Sequence, residues 1–288
     1  MKNVGIIGLG LIGGSYGLAL KESGKYRVFG TDRDGKHLQK AIELGLVDDV
    51  LSEDMLEHTD LLILAVPVDR LPGLAVEFLE KTGDTTWVFD TGSIKRNLSE
   101  AIDNHPSRRR FVLSHPIAGT EYSGPQAAKK ELFRGKINII TDPQRSSPEA
   151  LAEVTALHEA IGMKNYYMSS AEHDKHIAYV SHLSHVSAFV LGQTVLEIEQ
   201  DEDNIFLMAG SGFASTVRLA KSSPETWTPI FGENRHEILK VLQAYRKNLD
   251  AFIALLESDK REEIFHILQQ VNRIGKVIDR INRKNGKS

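Results

Sequence analysis

The sequence predicts an α/β protein: a Rossmann-type doubly wound sheet over residues 1–168, followed by an all-helical part over residues 169–288. Three observations carry that expectation. Short apolar runs alternate with helix-spaced segments as far as about residue 167, the βαβ signature of a parallel sheet covered on both faces. A glycine-rich turn joins the first apolar run to the first helical segment. Beyond Ser169 the glycines thin out and long helical periodicity takes over, with no further strand pattern.

Taken in order, the first run is Val4–Gly8, and Gly8, Gly10 and Gly13 make G-x-G-x-x-G. Gly8 permits the tight strand-to-helix turn, Gly10 lets a pyrophosphate approach the backbone, and Gly13 lets helix and strand pack closely. Leu11 and Ile12 then open a helix whose N–H groups and dipole face the phosphates. The second run, Arg27–Thr31, ends at Asp32, where an acid is expected on the adenosine ribose hydroxyls and against a 2′-phosphate. This favours NAD, although the neighbouring Arg33 works the other way. The third run, Leu61–Ala65, meets Val66 and Pro67, where the strand stops beside the expected cofactor. Trp87–Asp90, Phe111–Ser114, Ile137–Ile140 and Asn165–Met168 complete the strands, with helices expected near 12–23, 35–44, 71–81, 94–104 and 148–161.

In the helical part the spacing predicts helices over 170–199, 213–221, 233–257 and 260–283, the last two parted at Ser258-Asp259. The apolar stripe of Ile264, Leu268, Val271, Gly275 and Ile278 asks for a partner surface, so a homodimer is expected. The basic tail Arg280–Lys287 reads as frayed and solvated.

The composition narrows the function classes. A net charge of −4 offers nothing to nucleic acid or an anionic membrane. The absence of cysteine excludes disulfides, thiolate catalysis and Cys-type zinc sites. Met1-Lys2-Asn3 leads straight into the first strand, so no signal peptide is expected, and no apolar run approaches transmembrane length. The expected location is the cytoplasm.

Candidate chemistry gathers at strand ends. His115 follows a strand directly and is locked by Pro116; it is the candidate general base, or else a loop cap. Ser93 is placed to orient it, or to cap the helix expected from Ile94. His173, His176, His182 and His185 crowd the start of the helical part. The HExxH pattern is absent, so no metal is expected, and His182 and His185 read as substrate contacts or as core. Arg218 has the planar fork that clamps a carboxylate, its alternative being a surface ion pair. Trp227 lines a ring pocket or packs in the core.

Together Gly8–Ser15, Asp90–Lys95, His115-Pro116-Ile117-Ala118-Gly119-Thr120-Glu121, His173-Asp174, Ser181–His185 and Arg218–Pro224 before Trp227 resemble the prephenate/arogenate dehydrogenase family of tyrosine biosynthesis. The chain departs from its usual pattern at Ser184, often Pro, and Ser223, often Asp. The resemblance implies NAD-dependent oxidative decarboxylation of a small cyclohexadiene substrate. In it His115 and Ser93 are catalytic, Arg218 holds a carboxylate, and His182, His185 and Trp227 contact substrate. Thr120, Glu121 and Asp174 would gate the site. His185 is typical of prephenate-using relatives, which favours prephenate over arogenate. Neither a regulatory domain nor a chorismate mutase segment is expected. An imine reductase or β-hydroxyacid dehydrogenase shares the fold logic without needing the His115–Glu121 segment, and the latter wants a Lys–Asn pair where the first interdomain helix offers only Lys175. A non-catalytic NAD sensor would leave His115 and Ser93 without a task.

Overall fold

The computed structural model describes residues 1–199 and 205–284. The chain runs β1 (Lys2–Ile7), α1 (Leu11–Glu22), β2 (Tyr26–Thr31), α2 (Gly35–Glu43), β3 (Asp49–Val50), α3 (Glu53–Leu56), β4 (Leu61–Leu64), α4 (Leu71–Lys81), β5 (Trp87–Asp90) and α5 (Arg96–Ile102). It continues through β6 (Phe111–Pro116), β7 (Ile137–Thr141), α6 (Pro148–Ala160) and β8 (Lys164–Met168). The strands form one sheet in the order β3-β2-β1-β4-β5-β6-β7-β8. The order reverses between β1 and β4, which makes their carboxyl ends the switch-point crevice.

The expected parallel sheet is correct up to β6 and then needs amendment: β7 runs antiparallel to β6, and β8 parallel to β7. The reason is the connection. Between β6 and β7 there is only a short 3₁₀ turn, not the helical crossover that a parallel return requires. β3 is a further difference from the expected strands: its two residues are both exposed and carry no apolar run.

The two faces fill by strict alternation along the strands. Leu61 and Ile63 of β4 join one core with Val4, Ile6, Tyr16 and Phe89, and Leu62 and Leu64 join the opposite core with Val88, Phe111 and Leu113. In the first core Tyr16 meets Phe89 edge-on at 5.9 Å. Its hydroxyl bonds His158 Nε2 at 2.8 Å, while His158 Nδ1 donates to the Val154 carbonyl at 2.8 Å.

Burial pushes His158 down to about 4, and that has a thermodynamic consequence. Its unfolded value lies near 6.5, so on acidification the unfolded chain takes up the proton first. The stabilisation is complete above about pH 6.5 and is lost as pH falls toward 4, up to about 3 kcal/mol from this residue. His182, also held at about 4 by burial, acts in the same direction. Urea midpoints are therefore expected to drop between pH 7 and 5, with a shallower slope in His158→Gln; a flat profile would contradict it.

The helical part continues with α7 (Ser170–Ile177), a π turn (Ala178–His182), α8 (Leu183–Glu199), α9 (Ser211–Thr216), a 3₁₀ turn (Arg218–Lys221), α10 (Pro224–Glu233), α11 (Arg235–Glu257), α12 (Arg261–Val271) and α13 (Ile274–Lys284). Ser169 and Glu172 form a reciprocal capping box at the start of α7. The helix expected over 170–199 thus contains a π turn, where the Leu183 N–H reaches the Ala178 carbonyl five residues back. The segment 213–221 is a short helix followed by a 3₁₀ turn, and the helix expected over 260–283 is broken at Asn272-Arg273.

By its internal contacts the chain divides into two compact units, Met1–Arg235 and His236–Ser288. In the second unit Leu249, Leu256, Leu268, Val271 and Ile278 are exposed. Residues 285–288 of the basic tail lie outside the described residues. Among the described residues no helix is long and apolar enough to cross a membrane.

Candidate active site

The site is built where β1, β4, β5 and β6 end. Gly8 leaves β1 with φ +92°, and a Cβ there would stand 2.4 Å from the Ala65 carbonyl oxygen. A Cβ on Gly13 would fall 1.9 Å from the Gly8 oxygen. A Cβ on Gly10 meets nothing within 4 Å, and Gly10 lines a cavity of about 440 Å³. The N-terminus of α1, with Gly10 as its cap, has no side chain bonded to it and no acid in its first turn. Its N–H groups are thus presented to the cavity as an anion cradle, and the residues fit a dinucleotide pyrophosphate.

Leu11, Ile12, Val66 and Pro67 line this cavity with Gly10, whereas Gly8, Gly13 and Asp32 do not. Asp32 stands just past β2. It accepts from the Leu9 N–H at 2.8 Å and the Asp34 N–H at 2.9 Å, which fixes the carboxylate beside the glycine turn.

His115 reaches the same cavity from β6, and Ser93, Thr120, Glu121 and Trp227 line it too. The backbone before His115 is clamped on both sides. The Ser114 N–H donates to Asp90 Oδ1 at 3.1 Å, and Lys95 Nζ donates to the Ser114 carbonyl at 2.6 Å. Lys95 and Asp90 are ion-paired with both side chains fully buried. Burial pushes the Lys95 ammonium down and the Asp90 carboxyl up, and their contact opposes both shifts. This knot takes over where the β5–β6 ladder stops at Phe89 and Val112.

Sequence reasoning expected Ser93 to orient His115, and here the structure differs. His115 Nδ1 bonds His173 Nε2 at 2.8 Å, and His173 Nδ1 bonds Asp174 Oδ1 at 2.7 Å. No bond joins Ser93 to His115 among the described residues, and Ser93 caps nothing, since α5 begins at Arg96. Asp174 is not at an entrance either. It is 1% exposed, and its carboxylate takes the backbone N–H groups of Lys95 and Arg96, each at 2.9 Å. His115 is held well below its usual range, first by burial and then by the nearness of His173, Lys95 and His182, beside which a second positive charge is unfavourable. Its Nε2 makes no hydrogen bond among the described residues.

His182 is a second correction. The π turn carries it inward to 1% exposure, its Nδ1 lies 3.2 Å from Asn234 Nδ2, and it does not line the cavity. Asn234 also donates to the Asp174 carbonyl at 2.8 Å. His185 stacks on Trp227 with ring centroids 3.4 Å apart, outside the lining. Arg218 is exposed and also outside the lining, yet near enough for its charge to lower His185. Trp227 serves both expectations, since it lines the cavity and packs on the second core.

The sequence places Asp174 at the entrance and His173 and Lys95 within motifs, but it does not show that His173 and Asp174 hold His115, that Lys95 clamps Ser114, or that Asn234 belongs to the site. Sequence reasoning also missed α10, which carries Trp227. Ser223-Pro224-Glu225 is a clear helix start, with the Ser223 side chain accepting from Thr226 N–H, but Pro229 inside the helix hides the continuation.

A glycine turn at a switch point, a helix N-terminus without a capping side chain and a histidine facing one cavity define a nucleotide-dependent dehydrogenase. Comparison with known proteins makes this specific. Residues 16–167 match the family model for the prephenate dehydrogenase nucleotide-binding domain, and residues 169–270 match that for the prephenate dehydrogenase dimerization domain. The chain belongs to the prephenate dehydrogenase family. It is 31% identical to the prephenate dehydrogenase of Bacillus subtilis over 90% of this chain and 71% of that protein. It is likewise 31% identical to the cyclohexadienyl dehydrogenase of Zymomonas mobilis over 92% of each. The crystal structure of Aquifex aeolicus prephenate dehydrogenase, in complex with hydroxyphenyl propionate and NAD+, superposes with a TM-score of 0.89 at 33% identity, covering 96% of this chain and 98% of that one.

Proposed function

We propose that this protein catalyses the NAD-dependent oxidative decarboxylation of prephenate to 4-hydroxyphenylpyruvate in tyrosine biosynthesis. The observation that carries the reading is His115 Nε2, without a hydrogen-bond partner among the described residues, in the cavity that Gly10 and the β4 and β5 ends also line. Gly10 and the N–H groups of α1 would hold NAD, which would supply the hydride acceptor for the ring carbinol carbon. His115 Nε2 takes the hydroxyl proton and Ser93 offers that hydroxyl a polar contact. Loss of carbon dioxide then makes the ring aromatic, and the product's phenolate oxygen takes the proton back from His115. Asp32 selects NAD by receiving the ribose hydroxyls and repelling a 2′-phosphate. The functional boundary lies near residues 168 and 169. The helical part after it forms a homodimer, supported by its exposed apolar side chains, and the protein works in the cytoplasm.

Prephenate is favoured over arogenate because the chain carries His185. The test mixes purified protein with NAD and either compound, following reduced cofactor and released carbon dioxide, and repeats the assay with NADP. A higher kcat/KM with prephenate and NAD is expected. Preference for arogenate would move the substrate assignment, and no reduction with either would remove it.

Arg218 supplies the carboxylate contact, assisted by the neighbouring His185 and Trp227. A charge-assisted hydrogen bond contributes about 1.5–3 kcal/mol, so Arg218→Ala is expected to raise substrate KM roughly 10- to 100-fold with NAD affinity unchanged. Arg218→Lys should restore only part, because it lacks the planar fork. Normal KM in Arg218→Ala would take the residue out of the site.

A further inference from the structure

Asp174 begins a chain of hydrogen bonds whose direction is fixed at one end. Its carboxylate accepts two backbone N–H groups, from Lys95 and Arg96, so it acts as an acceptor. The bond to His173 at 2.7 Å therefore needs its proton on His173 Nδ1. A neutral His173 then has only a lone pair on Nε2. The 2.8 Å bond to His115 in turn needs the proton on His115 Nδ1. That leaves the lone pair of His115 on Nε2, the ring atom not engaged by His173.

The surroundings make the arrangement rigid. His173 is 2% and Asp174 1% exposed. The two imidazoles meet at 73° with centroids 5.0 Å apart, so the rings meet edge-on rather than stacked. Asn234 holds the Asp174 backbone from the other side. Ser114 fixes the other end of the chain through its clamped N–H and carbonyl.

We propose that His173 and Asp174 are positioning residues for this reaction: together they impose the Nδ1–H tautomer on His115 and so keep Nε2 available to accept the substrate hydroxyl proton. Neither residue touches substrate. When His115 takes that proton it becomes an imidazolium, and the Asp174 carboxylate lies beyond His173, two hydrogen bonds away, as its counter-charge. The inference rests on the reading of His115 as the base, and it makes a claim about His115 that can be measured without turnover.

The experiment uses full-length protein labelled with ¹⁵N-histidine at pH 7.5. The His115 ring signals are assigned from their loss in His115→Asn. The expected wild-type pattern is a protonated Nδ1 and an unprotonated Nε2. His173→Phe removes the acceptor, and free imidazole side chains favour the Nε2–H form, so the His115 signals should move to that pattern and kcat should fall roughly 10²-fold with little change in KM. His173→Gln offers an amide oxygen in place of the lone pair, and should restore the Nδ1–H pattern and much of kcat. A wild-type His115 carrying its proton on Nε2 would overturn the proposal, whatever the variants do. So would a His173→Phe enzyme with unaltered tautomer and turnover. Normal turnover in His115→Asn would instead overturn the reading of His115 as the base, while the wild-type tautomer still decides the positioning claim.

Discussion

His115→Asn is expected to lower kcat by roughly 10²–10⁴-fold with little effect on substrate KM. The substitution is a fair one, because the asparagine amide can still donate to His173 Nε2 where the imidazole Nδ1 does now, at 2.8 Å. What it removes is the second nitrogen, the one without a partner. The pH profile of the wild-type enzyme should carry the same signature. A base must be neutral to accept a proton, and burial with the nearby His173, Lys95 and His182 holds His115 well below the ordinary histidine range. The acid limb of kcat is therefore expected well below pH 6.5, lower than an unperturbed histidine would place it. Steady-state rates from pH 5 to 9 check this. An acid limb at or above 6.5, or near-normal turnover in His115→Asn, would show that His115 is not the base.

The glycine turn gives the second large effect, as a contrast between two substitutions three residues apart. Gly13→Ala forces a Cβ to 1.9 Å from the Gly8 carbonyl oxygen, an atom of the backbone that cannot swing aside. The strand–helix junction must open, at a cost of roughly 3 kcal/mol, and nucleotide binding should be lost with it. Gly10→Ala meets no protein atom within 4 Å. Its methyl group projects where the pyrophosphate would lie, so its thermal midpoint should match the wild type while NAD affinity falls at least tenfold. Calorimetric unfolding and NAD titration of both variants separate the outcomes. Equal loss of stability in both would show Gly10 to be a packing glycine like Gly13. Normal NAD binding by Gly10→Ala would move the phosphate site elsewhere.

The features legible in the sequence are those that depend on neighbours along the chain. Helical spacing places α4 at Leu71–Lys81, as observed, and the glycine pattern marks the tight turn that leaves β1 at Gly8. His115 is legible because a histidine at a strand end before proline has few other places to point. The positioning of His115 is not legible in the same way. His173 is 58 residues from His115, and Asp174 is 79 from Lys95. No local pattern encodes either distance, so a nearby serine, Ser93, is the natural partner to expect, whereas the hydrogen bond in the structure goes to His173. His182 and His185 look equivalent in sequence. Only the path of the backbone between Ala178 and Leu183 shows that one is interior and the other stacks on Trp227. The reversed β7 escapes for a similar reason, since strand direction is set by what connects two strands and not by the strand residues themselves.

The π turn at Ala178–His182 also bears on how relatives should be aligned. An i→i+5 turn accommodates one residue more than an α-helix needs, so it behaves as an insertion absorbed without a loop. Deleting one residue there would let ordinary α-helical bonding close, and α8 would keep its faces toward α7 instead of turning by the about 100° that a one-residue change costs in an unbroken α-helix. His185 and the side chains after it would hold their places although each had moved one position along the chain. A single-residue gap in this stretch of a relative therefore signals a re-indexed helix, and residues on its two sides should be matched in separate registers.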